Sequence, residues 1–168
     1  MLSGLNMIEL RDAEEADFNA IVHLNATEEL QTSPMNLGRL QVLHGLSDYH
    51  KVATVNNQVA AFLLTMQQTA RYDNDNFAWF ASRFSEFIYI DRIVVSRELT
   101  GMKIGSALYT DLFKYAQQKN VKTLACEYNI EPPNLASKAF HERFGFKEIG
   151  TQRVANGSKL VSLQIAEP

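Results

Sequence analysis

Residues 91–118 read DRIVVSRELTGMKIGSALYTDLFKYAQQ, and the fold is decided there. Ile90 to Val95 is rich in β-branched residues, which predicts a buried strand. A polar turn, Ser96 to Thr100, follows. Gly101 and Gly105 then bracket Met102, Lys103 and Ile104. From Ile104 on, Ala107, Leu108, Leu112, Tyr115 and Ala116 recur at helical spacing. A strand, a glycine turn and a helix aim unpaired N–H groups and the positive end of a helix dipole at one point. A phosphate suits that point, and glycine lets a ligand approach the backbone closely. By itself the stretch is equally a tight connection that binds nothing.

Toward the amino terminus, Met7–Arg11 reads as a short strand. Asp12 is the expected N-cap of the next helix, with Glu15 completing a capping box. Phe18, Ile21, Val22 and Leu24 give that helix its apolar face, and Ser33-Pro34 ends it. A second helix is expected over Asn36–Leu46. Lys51–Val55 and Val59–Met66 form a hairpin around Asn56-Asn57, since Asn tolerates the positive φ of such turns. Gln67–Glu86 is less regular and mixes Tyr72, Phe77, Trp79, Phe80 and Phe84 with Asp73, Asn74, Asp75 and Asn76. At least half of these aromatics are expected to cover the core. The others would form a substrate-side lid, with Tyr72, Trp79 and Phe80 as contacts.

Toward the carboxyl terminus, Val121–Tyr128 reads as a strand and Leu135–Phe144 as a helix with Gly145 as its C-cap. Phe146–Val154 and Lys159–Ile165 close the chain as a hairpin around Asn156-Gly157. Hairpins at both ends and a strand–helix–strand crossover between them predict a mixed α/β sheet in one domain, 1–168. Residues 1–6 would be a loose extension, with Met7 as a second start. The composition is 46% apolar and 21% charged, with a net charge of −3, which argues against a nucleic-acid surface. No run of 18 apolar residues is present, so no membrane span is expected. The one cysteine, Cys126, fits a reducing cytoplasm and reads as a small buried side chain. The four histidines lack metal-ligand spacing, so no metal is expected, and His23 and His44 read as helix-edge residues.

Two stretches taken together, IVVSRELTGMKIGSALY and NLASKAFHERFGF, resemble the GNAT superfamily of acetyl-CoA-dependent N-acetyltransferases, and within it a bacterial subgroup of predicted acetyltransferases. That family has a phosphate turn of the form R/Q-x-x-G-x-G/A and a later N-x-x-A-x-x-x-Y-x-x-x-G-F segment. The resemblance covers about Met7 to Ile165. It implies a mixed, mostly antiparallel sheet of about seven strands, splayed at its centre, with about four flanking helices. It also implies acetyl-CoA as cofactor, a small-molecule or peptide amine as substrate, and a homodimer through the last strand or the aromatic loop.

Carried over residue by residue, the resemblance places the cofactor on Ile93, Val94, Val95, Thr100, Gly101, Met102, Lys103, Ile104, Gly105, Ser106, Asn134 and Ser137. Thr100 stands where the family has Arg or Gln, and Lys103 where it has Gly. Lys103 could contact a phosphate directly or be a solvated lysine. His141 stands where a Tyr protonates the departing thiolate; His is competent for that role, or packs. Tyr128 and Ser137 are the substitutes. The base would be Asp91, on the face of its strand shared with Ile93 and Val95, or Glu127; a salt bridge to Arg92 or to another basic residue nearby is the plainer role for Asp91. A backbone N–H at Val94 or Val95 would meet the oxyanion. The alternative is a non-catalytic acyl-CoA-binding or regulatory module with the same fold. A flavin or dinucleotide site is disfavoured, because G-x-G-x-x-G is absent.

Overall fold

In a computed structural model, residues 7–168 are described; the extension expected at residues 1–6 lies outside them. The strands are β1 (Ile8–Asp12), β2 (Tyr49–Val55), β3 (Gln58–Gln67), β4 (Ile88–Val95), β5 (Leu124–Glu131), β6 (Lys147–Val154) and β7 (Lys159–Ala166). The helices are α1 (Phe18–Ala26), α2 (Leu37–Leu46), α3 (Asp75–Ala81), α4 (Ile104–Gln118) and α5 (Leu135–Arg143). One sheet runs in the order β1-β2-β3-β4-β5-β7-β6. The β1–β2, β2–β3, β5–β7 and β6–β7 pairs are antiparallel. The central β4–β5 pair is parallel only at Ile88↔Leu124 and Tyr89↔Ala125, after which the ladder ends. This is the central splay that the resemblance implied. Among the described residues there are five helices, against the about four that the resemblance implied.

Contacts divide the chain into two compact parts. The first runs through Thr65 and includes Arg92–Leu112. Its hairpin turns on Asn56 (φ 51°) and Asn57 (φ 65°), as read from the sequence. The helix start differs. Asp12 is the last residue of β1, paired with Lys51, so it is not free to cap. Instead a 3-10 turn at Glu15–Asp17 leads into α1, and the Asp17 carboxylate accepts from the Glu14 N–H at 2.8 Å. Arg11 donates to both Asp17 oxygens, at 2.7 and 2.8 Å, and holds that carboxyl below its ordinary range. α2 is capped by Asn36, whose side chain accepts from the Arg39 N–H.

Arg92 is 6% exposed. It donates to Asn25 Oδ1 at 3.1 Å and to Ser33 O and Oγ at 3.2 Å, fastening β4 to α1 and the segment after it. Alternation along the strand sends its side chain to the face opposite Asp91. His44 of α2 meets His50 of β2, Nδ1 to Nδ1, at 2.8 Å. His50 is buried against Phe62, and its Nε2 has no hydrogen-bond partner among the described residues.

The second part comprises Met66–Asp91 and Phe113–Pro168. Its α3 lies inside the stretch read as irregular. Asn74 caps it, accepting from the Phe77 N–H at 3.0 Å. Phe77 and Phe80 pack with Phe87 and Tyr89 in one aromatic cluster. Phe80 has no exposed surface, so it is a core side chain and is withdrawn as a substrate contact. Trp79 lies over Gly150 of β6, where a Cβ would come within 2.7 Å of Trp79 Cζ2. The Arg83 guanidinium stacks on the same indole, 3.6 Å from its centroid. β5 begins at Leu124, three residues after the expected start, where pairing with Ala166 begins. The closing hairpin turns through residues 155–158, with positive φ at Ala155, Asn156 and Gly157. Cys126 is buried, and its thiol is pushed well above its ordinary value by burial.

Candidate active site

Along β4, Ile90, Arg92 and Val94 are buried, while Asp91, Ile93 and Val95 are half-buried. The strand thus presents one face that the core does not cover, and the parity read from the sequence selects it. Past Val95, Ser96 N–H is held by Ala60 O at 2.8 Å, and Arg97 is tied to the turn that follows α1 by Glu28 Oε1 at 2.7 Å and Thr27 O at 2.9 Å. Thr100 commits its hydroxyl locally, donating to Arg97 O at 2.8 Å.

The turn into α4 uses left-handed backbone at Gly101 (φ 92°) and again at Lys103 (φ 59°). Lysine at such an angle costs roughly 1–2 kcal/mol relative to a right-handed conformation, which is why a glycine is the easier residue there. Ala107 N–H closes the first bond of the helix, onto Lys103 O at 3.0 Å. The N–H groups of Ile104, Gly105 and Ser106 therefore project from the helix start. Lys103 is exposed and Met102 half-buried, while Ile104 is anchored in the core at 1% exposure.

Two residues on from the Tyr89↔Ala125 pair come Asp91 and Glu127, both half-buried. Each carboxylate accepts from a tyrosine. Tyr72 O–H donates to Asp91 Oδ1, and Tyr89 O–H lies 2.8 Å from both Glu127 oxygens. The Tyr89 phenol is pushed well above 10.0, by burial first and then by the charges of Glu127 and Asp91. Both carboxylates thus act on one buried phenol, which stays protonated. Tyr89 was not picked out from the sequence; its parity with Asp91 was the available signal.

On the other face of β5 stands Tyr128, directly across from Ser162 of β7. Gln164 Nε2 donates to Tyr128 Oη at 3.2 Å and to Ser162 Oγ at 2.6 Å. Ser162 in turn donates to Glu148 Oε2 at 2.5 Å. Burial raises the Tyr128 pKa, and the Ser162 hydroxyl pulls it the other way. The His141 ring packs against Tyr128, Phe140 and Phe146, with centroids 5.7, 5.5 and 5.3 Å away.

His141 Nδ1 lies 2.7 Å from the carbonyl oxygen of Ser137 and 3.2 Å from its hydroxyl. A carbonyl only accepts, so the imidazole proton sits on Nδ1. Burial lowers the His141 pKa, against the Ser137 bond, so the neutral form prevails and Nε2 carries a lone pair. That form has no second proton to give. Asn134 caps α5, accepting from the Ser137 N–H at 3.2 Å. Among the described residues, no group of three or more His, Cys, Asp or Glu could hold a metal. No helix among them is long and apolar enough to cross a membrane.

A model of the Acetyltransferase (GNAT) family matches residues 9–146, and the chain belongs to that family. No curated protein of similar sequence is found. Among solved structures, the ribosomal-protein-S18-alanine N-acetyltransferase of Escherichia coli matches with a TM-score of 0.72 at 20% identity, over 96% of this chain and 94% of that one. Ard1 of Thermoplasma volcanium matches with a TM-score of 0.77 at 15% identity, over 95% and 97%. The yncA protein of Salmonella typhimurium, solved with its cofactor acetyl-CoA, matches with 0.72 at 16% identity, over 96% and 94%. At such identities the likeness is one of fold.

Proposed function

We propose that this protein is an acetyl-CoA-dependent N-acetyltransferase that acylates the amine of a small molecule or peptide by direct attack. The observation that carries the reading is the pair of tyrosine-held carboxylates, Asp91 and Glu127, beginning at the residue where β4 opens its uncovered face. A polarised acetyl thioester is what acetyl-CoA supplies. The turn fits its pyrophosphate: Ile104, Gly105 and Ser106 offer backbone N–H groups at the helix start, Gly101 and Lys103 give the turn its left-handed path, Met102 ties it to Leu99 O, and Lys103 adds a charge. Lysine retained at a strained φ favours that functional role for its side chain. Thr100 shapes the turn, since its hydroxyl is engaged within it.

Ile93 and Val95 would pair their main-chain groups with the pantetheine arm, and the Val94 or Val95 N–H would meet the developing oxyanion. Asp91 or Glu127 takes the proton of the incoming ammonium, its oxygens oriented by Tyr72 or Tyr89. Tyr128 gives a proton to the departing thiolate, in place of His141, whose single proton is already on the Ser137 carbonyl. Asn134 and Ser137 order the start of α5 beside the thiol end. Tyr72 and Trp79 remain on the acceptor side. We take the chain as one domain with a cytoplasmic site of action, since the family match runs through segments of both parts.

Calorimetric titration with CoA and acetyl-CoA, with FMN and NAD as controls, tests the cofactor. Thiol release with an amine panel then tests turnover. Micromolar CoA binding without acetylation of any amine would leave the non-catalytic acyl-CoA-binding module in its place, and no CoA binding would remove both readings.

A further inference from the structure

We propose that Gln164 is a positioning residue, holding the oxygen of Tyr128 so that the phenolic proton is the one offered for transfer. The inference rests on the reading of Tyr128 as the acid. Gln164 is 3% exposed and Ser162 has no exposed surface. A buried amide is costly unless its groups are hydrogen-bonded, so its presence in β7 calls for a reason. Both N–H groups of this amide are used, one on Tyr128 Oη and one on Ser162 Oγ. Ser162 has a single proton, and it goes to Glu148. The register fixes the set: Ser162 lies across from Tyr128, Gln164 across from Cys126, and Glu148 across from Gln164, all on one face.

The consequence is directional. Gln164 donates to one lone pair of Tyr128 Oη, which fixes the oxygen; the phenol O–H, beside the Ser162 hydroxyl at rest, is the one proton left to turn toward the thiolate. In the transfer the phenol O–H bond breaks and an S–H bond forms on CoA, the electron pair staying on oxygen. The phenolate so formed sits in a site that is 8% exposed. There the N–H of Gln164 stabilises it, offsetting the burial that raises the Tyr128 pKa. Water returns the proton before the next turnover.

The test is a double-variant cycle on the full chain. Rates of CoA thiol release are measured with acetyl-CoA and each of an alanine-initiated hexapeptide, spermidine and tyramine. Gln164→Leu should lower kcat about tenfold with the KM for acetyl-CoA within about twofold, and should cause no further loss in a Tyr128→Phe background. Gln164→Glu keeps the size but sets a carboxylate against the phenol. It should move the alkaline limb of the kcat profile up by about one pH unit, and it carries the test if the leucine variant does not fold. Additive losses in the double variant, or a profile that does not move, would overturn the positioning role and leave Tyr128 as the acid. A Tyr128→Phe variant with wild-type turnover, or no acetylation of any amine by the wild type, would overturn both.

Discussion

Acid should unfold this protein through His50. The side chain is buried, and among the described residues it meets only His44 Nδ1 by hydrogen bond and leaves Nε2 orphaned, so a second proton would be a cation without solvent. Its pKa is lowered from 6.5 to about 4, by burial first and by His44 next, with Asp17 opposing. A histidine that binds its proton more weakly when folded is favoured for unfolding wherever the unfolded chain is protonated. The stability it contributes is complete above 6.5, shrinks as pH falls from there, and is gone below about 4. At about 1.4 kcal/mol per pKa unit, the full span is roughly 3 kcal/mol, of which about 2.5 kcal/mol is lost by about pH 4.5. The Asp17 carboxyl, held below 3.8 by Arg11, gives stability that is lost only beneath this window.

Urea unfolding followed by circular dichroism, near pH 7 and near pH 4.5, measures the loss for the wild type and for His50→Gln, which keeps a partner for His44. The wild type should lose about 2.5 kcal/mol more than the variant between the two conditions. His141, whose pKa is also lowered by burial, contributes equally to both proteins and cancels. Equal losses in the two would refute the argument and mean that His50 takes up its proton with the fold intact.

Three further perturbations separate the remaining assignments. Gly150→Ala would drive a Cβ to 2.7 Å from the Trp79 ring and should cost about 1–3 kcal/mol in thermal unfolding; an unshifted Tm would mean the indole moves aside freely. Asp91→Asn and Glu127→Gln should divide unequally: the variant that has lost the base should drop kcat about a hundredfold or more and lose its acidic limb, while the other keeps its limb. Equal, small losses would place the base elsewhere. Lys103→Ala keeps the left-handed strain and removes the charge, so the Kd for CoA should rise about three- to tenfold and do so less at high salt; an unchanged Kd would make Lys103 a solvated lysine.

The parts of the fold fixed by local chemistry were legible in the sequence. Asn56-Asn57 gave its turn because asparagine tolerates positive φ. The parity of Asp91, Ile93 and Val95 gave the open face of β4. α3 escaped because DNFAWFA spans under two turns, too short for an amphipathic period to emerge. The capping box shifted from Asp12 to Glu14 because β1 extended by pairing, and pairing is a non-local event. The same holds for the site. Lys103 stood out as a substitution, but its φ belongs to the folded turn. His141 carried the right residue type for an acid, and only its contact with the Ser137 carbonyl shows where the proton resides. Tyr89 and Gln164 act through partners 38 and 36 residues away, a separation that no motif spacing encodes.

The burial of Cys126 has a practical corollary. A lone thiol at 2% exposure, with its thiolate disfavoured, should be silent toward aromatic disulfide reagents while the chain is folded. Colour developed in a thiol-release assay then counts free CoA alone, without a protein background. Slow labelling of Cys126, measured without substrate, becomes a clock for the opening of β5.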